Sequence, residues 1–333
     1  MVFEYVYGLI LITMLALIIF FATVYISRLV ESRRWFKLVV EAVERGDVDK
    51  LYDLLKDLRY LSIVARDAEL SNRILNLFFD NARFREFLEF CDVFKSSDMR
   101  CRVLSSGVEV LGVDVEVVAG EGEEVEVKGV GVYAVSRGLE GFKYEKSSSH
   151  ESIVWLVRFL EFSKPRLLIG HNLARLIAPL LAKHGAGVSA EMLDTLTLSL
   201  IALPSAPSHS LEHLAKLLGV EHRPHTVSEN ARTSVEIAKL LVGVLKAKNI
   251  YHHVVRAKHG DLTGLSFLDE FYKPSPYSPS IAYSEGLSEE LWDNVDLLIV
   301  PLVWDSCRDE VWAPRKIPRD VLSLPLDSYD NLE

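Results

Sequence analysis

Two acids two residues apart on an extended stretch, Asp114 and Glu116, form the most chemically suggestive pair in this 333-residue sequence. Residues i and i+2 of a strand share a face, so both carboxylates point the same way. Oxygen donors of this kind suit a hard divalent cation such as Mg²⁺. The pair lies on a strand whose acidic face falls in a buried sheet, where unpaired carboxylates are costly. A second Asp-x-Glu, Asp67-Ala-Glu69, falls in a helical region instead. Histidines are the other candidates. His209, His213, His222 and His225 read as H-x3-H and then H-x2-H, a zinc-like spacing, but no Cys or carboxylate completes the set. His225 follows Pro224 in a loop ahead of a helix.

The elements that position these residues follow from hydrophobic period. Alternation from Val108 to Val118 and from Val125 to Ala134 marks two strands joined by the glycine-acid loop AGEGEE, with Gly141–Lys146 as a third. A helix over 150–163 precedes a short buried strand at 166–170. A helix at about 172–184 begins at His171-Asn172, where Asn is an N-cap candidate. Met192-Leu193-Asp194 is another short strand, and helical patterns cover 195–202, 209–218 and 228–247. The order predicts an α/β domain over 104–250: a mixed sheet flanked by helices, the plan of ribonuclease-H-like folds.

Four pieces of this region, in order, carry a resemblance to a known family: LLIGHN at 167–172, LDTLTLS at 193–199, SHSLEHLAKLLG at 208–219, and PH with ENARTSVEIAKLL at 224–225 and 229–241. Together with Asp114-Val115-Glu116 they resemble the DnaQ-like (DEDD-type) 3′→5′ exonucleases. The resemblance implies a cleft in which four carboxylates hold two Mg²⁺ or Mn²⁺ ions and a histidine serves as general base. It places the first motif on Asp114 and Glu116, the base on His225, and a weak metal position on Asn230. Two acids are missing. The second-motif position falls on Leu176, or on Ile177 if the register is one longer, and the third-motif position on Asn230, whose amide brings no charge. Two negative charges would then face four positive ones, so the expectation is a catalytically inactive relative that binds a single-stranded nucleic-acid end or a protein. The rival is a working, metal-dependent exonuclease with a rearranged site that draws on Asp194 or Glu229. A third reading is a structural platform at a membrane.

That membrane enters from the N-terminus. Tyr5 to Ser27 is a run of 23 residues without a charge, about 35 Å as a helix, against a bilayer core of about 30 Å. Glu4 precedes it and no base does, unlike a signal peptide. Arg28, Arg33, Arg34 and Lys37 follow it, which predicts a single-pass anchor (1–28) with the bulk of the chain in the cytoplasm. Residues 29–103 read as short amphipathic helices, with Gly46-Asp47 as a helix stop followed by an N-cap. Residues 251–333 hold fifteen acids against seven bases, a Pro/Ser linker at 274–280, an apolar run at 297–304 and a proline-containing tail, and so suit a protein partner. The net charge of −10 excludes a non-specific polyanion binder. Three widely spaced cysteines (Cys91, Cys101, Cys307) predict unpaired thiols, in keeping with a reducing cytoplasm. The absence of Gln and the scarcity of Met lean towards a thermophile.

Overall fold

A computed structural model describes residues 2–119, 125–147, 149–187, 189–223 and 226–274. His225, the AGEGEE turn, Cys307, the 297–304 run, the proline-containing tail and nearly all of the Pro/Ser linker lie outside the described residues. The chain divides into two compact units, residues 1–101 and 102–333.

The first unit is helical: α1 (Val2–Arg45), α2 (Val48–Leu55), α3 (Leu58–Val64), α4 (Ala68–Asp80), α5 (Phe84–Val93) and the start of α6 (Met99–Ser106). The apolar segment does not stop at residue 28 but continues as one helix to Arg45. Its first part exposes Met14, Leu17, Ile18, Phe20 and Phe21, while further on Trp35, Val39, Ala42 and Val43 are buried. From Thr13 onward this helix is long and apolar enough to cross a membrane. Gly46 takes a left-handed φ of +67°, and the Asp47 carboxylate accepts from the Lys50 amide at 3.0 Å, so chain reversal and cap fall side by side. Asp67, from the second Asp-x-Glu, caps α4 by accepting from the Leu70 amide at 3.0 Å. The core is aromatic, with Phe78 and Phe90 stacked at 5.4 Å between centroids.

The cysteine expectation is corrected here. Cys91 and Cys101, both buried, form a disulfide with Cα atoms 5.8 Å apart. The turn between α5 and α6 folds back tightly, with the Ser96 amide donating to the Cys91 carbonyl, and this brings together cysteines that look distant in sequence. The cysteines therefore lend no support to a reducing compartment.

The second unit is α/β. Its five-stranded sheet has the order β3-β2-β1-β4-β5, with β1 (Val110–Ala119), β2 (Val125–Val135), β3 (Phe142–Lys146), β4 (Leu167–Gly170) and β5 (Glu191–Asp194). β1, β2 and β3 are antiparallel neighbours, while β4 and β5 run parallel to β1. α7 (Ser149–Ser163) packs on the face of Tyr144, whose ring stacks on Trp155 at 4.6 Å. The long α11 (Val227–Ala247) lies on the other face. Two strand glycines make room for it. A Cβ at Gly112 would stand 2.5 Å from the Ala231 carbonyl oxygen, and one at Gly131 would stand 2.1 Å from the Val227 backbone. β4 leads into a π-helical turn, Leu173–Ile177, and then α8 (Ala178–Lys183). α9 (Thr195–Ala202) and α10 (Leu211–Leu218) follow β5. The sequence grouping that begins a separate C-terminal segment at 251 is revised. Within α12 (Tyr251–Ala257) and α13 (Leu265–Tyr272), Tyr251, Val254, Leu265, Phe267 and Leu268 join the same core as α11.

Candidate functional site

The site grows from the register of the sheet. Asp114 on β1 pairs with Gly131 on β2, which pairs with Glu145 on β3, and Glu116 pairs with Gly129. The acids thus stand beside glycines, on the face that α11 covers. Because Gly131 has no side chain, the first turn of α11 rests directly on the sheet. Glu145 accepts from the Ser228 amide and hydroxyl, each at 3.3 Å. This satisfies an orphan donor that Thr226, the N-cap residue, leaves without a side-chain partner.

Asn230, one turn into α11, then reaches Asp114: its amide Nδ2 donates to Asp114 Oδ2 at 2.9 Å. An ionised carboxylate only accepts, so the NH₂ side of the amide must face it. Burial pushes the Asp114 carboxyl above the usual range, and Glu116 adds to the rise. The Asn230 amide, the Val115 amide and His222 act the other way. His222 is itself held by Thr233, Nδ1 to Oγ1 at 3.1 Å. The structure therefore brings Asp114, Glu116 and Asn230 to one place.

It does not bring the rival acids there as free ligands. Glu229 is buried, with Oε2 accepting from Lys143 Nζ at 2.7 Å and Oε1 from Arg232 Nε at 2.8 Å. Burial alone would raise its carboxyl, but Arg232 and Lys143 hold it below the usual value. Asp194, 2% exposed, accepts from the amides of Asn172 and Ala174 at 3.0 Å and of Leu196 at 2.8 Å. Burial raises its carboxyl, and these N–H groups offset part of the rise. Asp194 is the clamp that joins the end of β5 to the turn after β4. Asn172 occupies the N-cap position its sequence context suggests, but it sits at a left-handed φ of +60° and makes no side-chain cap bond.

Leu176 and Ile177, the positions read as lacking an acid, both lie in the π-helical turn, after which the Ala178 amide reaches back to the Leu173 carbonyl. Ile177 is fully buried, with Cδ1 3.3 Å from where a Gly170 Cβ would stand. Leu176 is half-buried. His171 Nδ1 lies 3.0 Å from Thr195 Oγ1, and burial lowers its pKa to about 4. His209 Nδ1 contacts Ser199 Oγ at 2.9 Å. Two histidines of the zinc-like spacing, His209 and His222, are thus engaged by separate hydroxyls, those of Ser199 and Thr233. Among the described residues no group of three or more His, Cys, Asp or Glu is arranged to hold a metal ion.

No family model, no curated protein and no solved structure matches this chain.

The residues present do not fit a two-metal centre. Asp114 spends one oxygen on an amide donor, Asn230 turns NH₂ rather than oxygen towards it, Leu176 and Ile177 carry no donor atom, and Glu229 and Asp194 are committed elsewhere. Sequence reasoning missed the Lys143–Glu229–Arg232 cluster and the Glu145 cap, because both join residues more than eighty positions apart.

Proposed function

We propose that this chain is a membrane-anchored binding protein whose sheet domain is a non-cleaving relative of the DnaQ-like 3′→5′ exonucleases. Three features support the kinship. The strand order is 3-2-1-4-5 with an antiparallel trio and a parallel pair. The Asp-x-Glu lies on the central strand. A long late helix reaches back to it through Asn230. The Asn230–Asp114 hydrogen bond carries the loss of cleavage, since a neutral donor stands where Mg²⁺ or Mn²⁺ would need a third and fourth negative charge. Without cations Asp114 and Glu116 repel a phosphodiester backbone, so the partner of the domain is a protein segment rather than a nucleic-acid end. Residues beyond the apolar helix face the cytoplasm by their flanking charge. The composition leans towards a thermophile, and a disulfide there is compatible with the cytoplasm if the source is a hyperthermophile, whose intracellular proteins carry disulfides.

The test is a trimming assay on single-stranded DNA and RNA with the detergent-solubilised full chain and Mg²⁺ or Mn²⁺. The expected outcome is no metal-dependent shortening and no retention of either strand at low salt. Shortening abolished by Asp114→Ala would overturn the non-cleaving reading, and tight strand retention would overturn the choice of a protein partner.

A further inference from the structure

The continuous α1 carries three chemistries in sequence along its axis. Exposed apolar side chains run to Val30. The exposed acid Glu31 follows, about 60° outside the arc of the bases that come after it, and then Arg33, Arg34 and Lys37, all exposed. Acids Glu41 and Glu44 follow. Taking 3.6 residues per turn, Arg33, Arg34 and Lys37 fall within an arc of about 100°. The buried stripe of Trp35, Val39, Ala42 and Val43 centres about 180° away on the same helical wheel. The basic triad is therefore on the face turned away from the helices that pack against α1. At 1.5 Å per residue Arg33 and Lys37 stand about 9 and 15 Å beyond Ser27, and their long side chains reach back towards the polar layer of a bilayer. Glu41 and Glu44 lie on the same side but about 20 Å or more beyond Ser27, clear of that layer. No hinge intervenes, because one helix carries both the apolar run and the packed stripe.

We propose that Arg33, Arg34 and Lys37 form a seat for the headgroups of anionic phospholipids. Charge complementarity selects the occupant: three cations on one face turned away from the packed helices, close to an apolar run, fit a headgroup of net negative charge better than a zwitterionic one, whose ammonium cancels its phosphate. The seat holds the helical unit against the membrane in a fixed orientation, since Trp35 Nε1, at the level of the basic triad, donates to the Leu54 carbonyl and ties α2 to α1. The proposal rests on reading α1 as membrane-spanning and does not depend on what the sheet domain binds.

The test reconstitutes the full chain into phosphatidylcholine bilayers that carry a trace of spin-labelled phosphatidylglycerol or spin-labelled phosphatidylcholine. Electron spin resonance then gives the fraction of each probe held at the protein. The anionic probe should be held about threefold more strongly at low salt, approaching parity in about 0.5 M salt, where the screening length falls to a few ångström. The Arg33→Gln, Arg34→Gln, Lys37→Gln triple variant should hold both probes equally while still resisting carbonate extraction. Equal retention by the unaltered chain, or selectivity that survives the triple variant, would overturn the seat. Release of the unaltered chain by carbonate would overturn the membrane-spanning reading as well, so the two failures are distinguishable.

Discussion

Asp114 and Asp194 are both held in the sheet unit with carboxyls pushed up by burial, yet their surroundings differ in kind. Asp194 receives three backbone N–H donors and joins two chain segments. Asp114 draws a donor from a side chain, the Asn230 amide, besides the neighbouring Val115 amide, and has another acid beside it under α11. Backbone donors cannot be exchanged by mutation, and they build architecture. A side-chain amide is a replaceable partner, and it marks a position where chemistry has been gained or lost. By this distinction Asp194 is structural, and Asp114 is the position on which the proposed loss of cleavage turns.

The largest expected effect separates these two acids. Asp194→Ala leaves three amide donors without their acceptor and should lower stability by about 4 kcal/mol. Asp114→Ala relieves a burial penalty while losing one hydrogen bond, and should change stability by less than about 1 kcal/mol. Denaturant unfolding of the detergent-solubilised chain, followed by circular dichroism, reads both. Equal losses would erase the contrast.

Next in size is a pH effect centred on His171. Its folded pKa of about 4 lies below the free value of 6.5, so its contribution is present above pH 6.5 and is lost as pH falls towards 4, by about 3 kcal/mol. His209, also lowered by burial, acts in the same direction. Asp114 and Asp194, whose folded values are raised, act in the opposite direction and favour the fold as pH falls. A His171→Asn variant isolates the histidine: the difference in stability between it and the unaltered chain should shrink as the pH is lowered from 6.5 to 4. A constant difference would show that His171 titrates normally and is not buried as described.

Much of this arrangement is legible in the residues. Gly46-Asp47 announces a stop and a cap because both signals are local. The alternation around Asp114 and Glu116 gives the strand and its acidic face, and the mismatches at Leu176 and Asn230 are visible as soon as the motifs are set in order. What stays hidden depends on long-range partners. Glu229 looks like a spare acid until Lys143, from another strand, is found on it. Asn172 sits where a cap belongs, but its left-handed backbone, whose N–H donates to Asp194, goes without a side-chain cap bond. Cys91 and Cys101 look unrelated until the α5–α6 turn closes. The helices after residue 250 look like part of an acidic segment because the acids dominate the stretch as a whole, while Tyr251, Val254, Leu265, Phe267 and Leu268 carry them into the core.

The central claim is that an amide has displaced the cations at Asp114, and calorimetric titration of Mn²⁺ into the full chain tests it most directly. The unaltered protein should show no saturable uptake below about 1 mM, while Asn230→Asp, which restores an oxygen-only third ligand, should gain measurable uptake that Asp114→Ala removes. Saturable binding of two Mn²⁺ ions by the unaltered chain, lost on Asp114→Ala, would contradict the account.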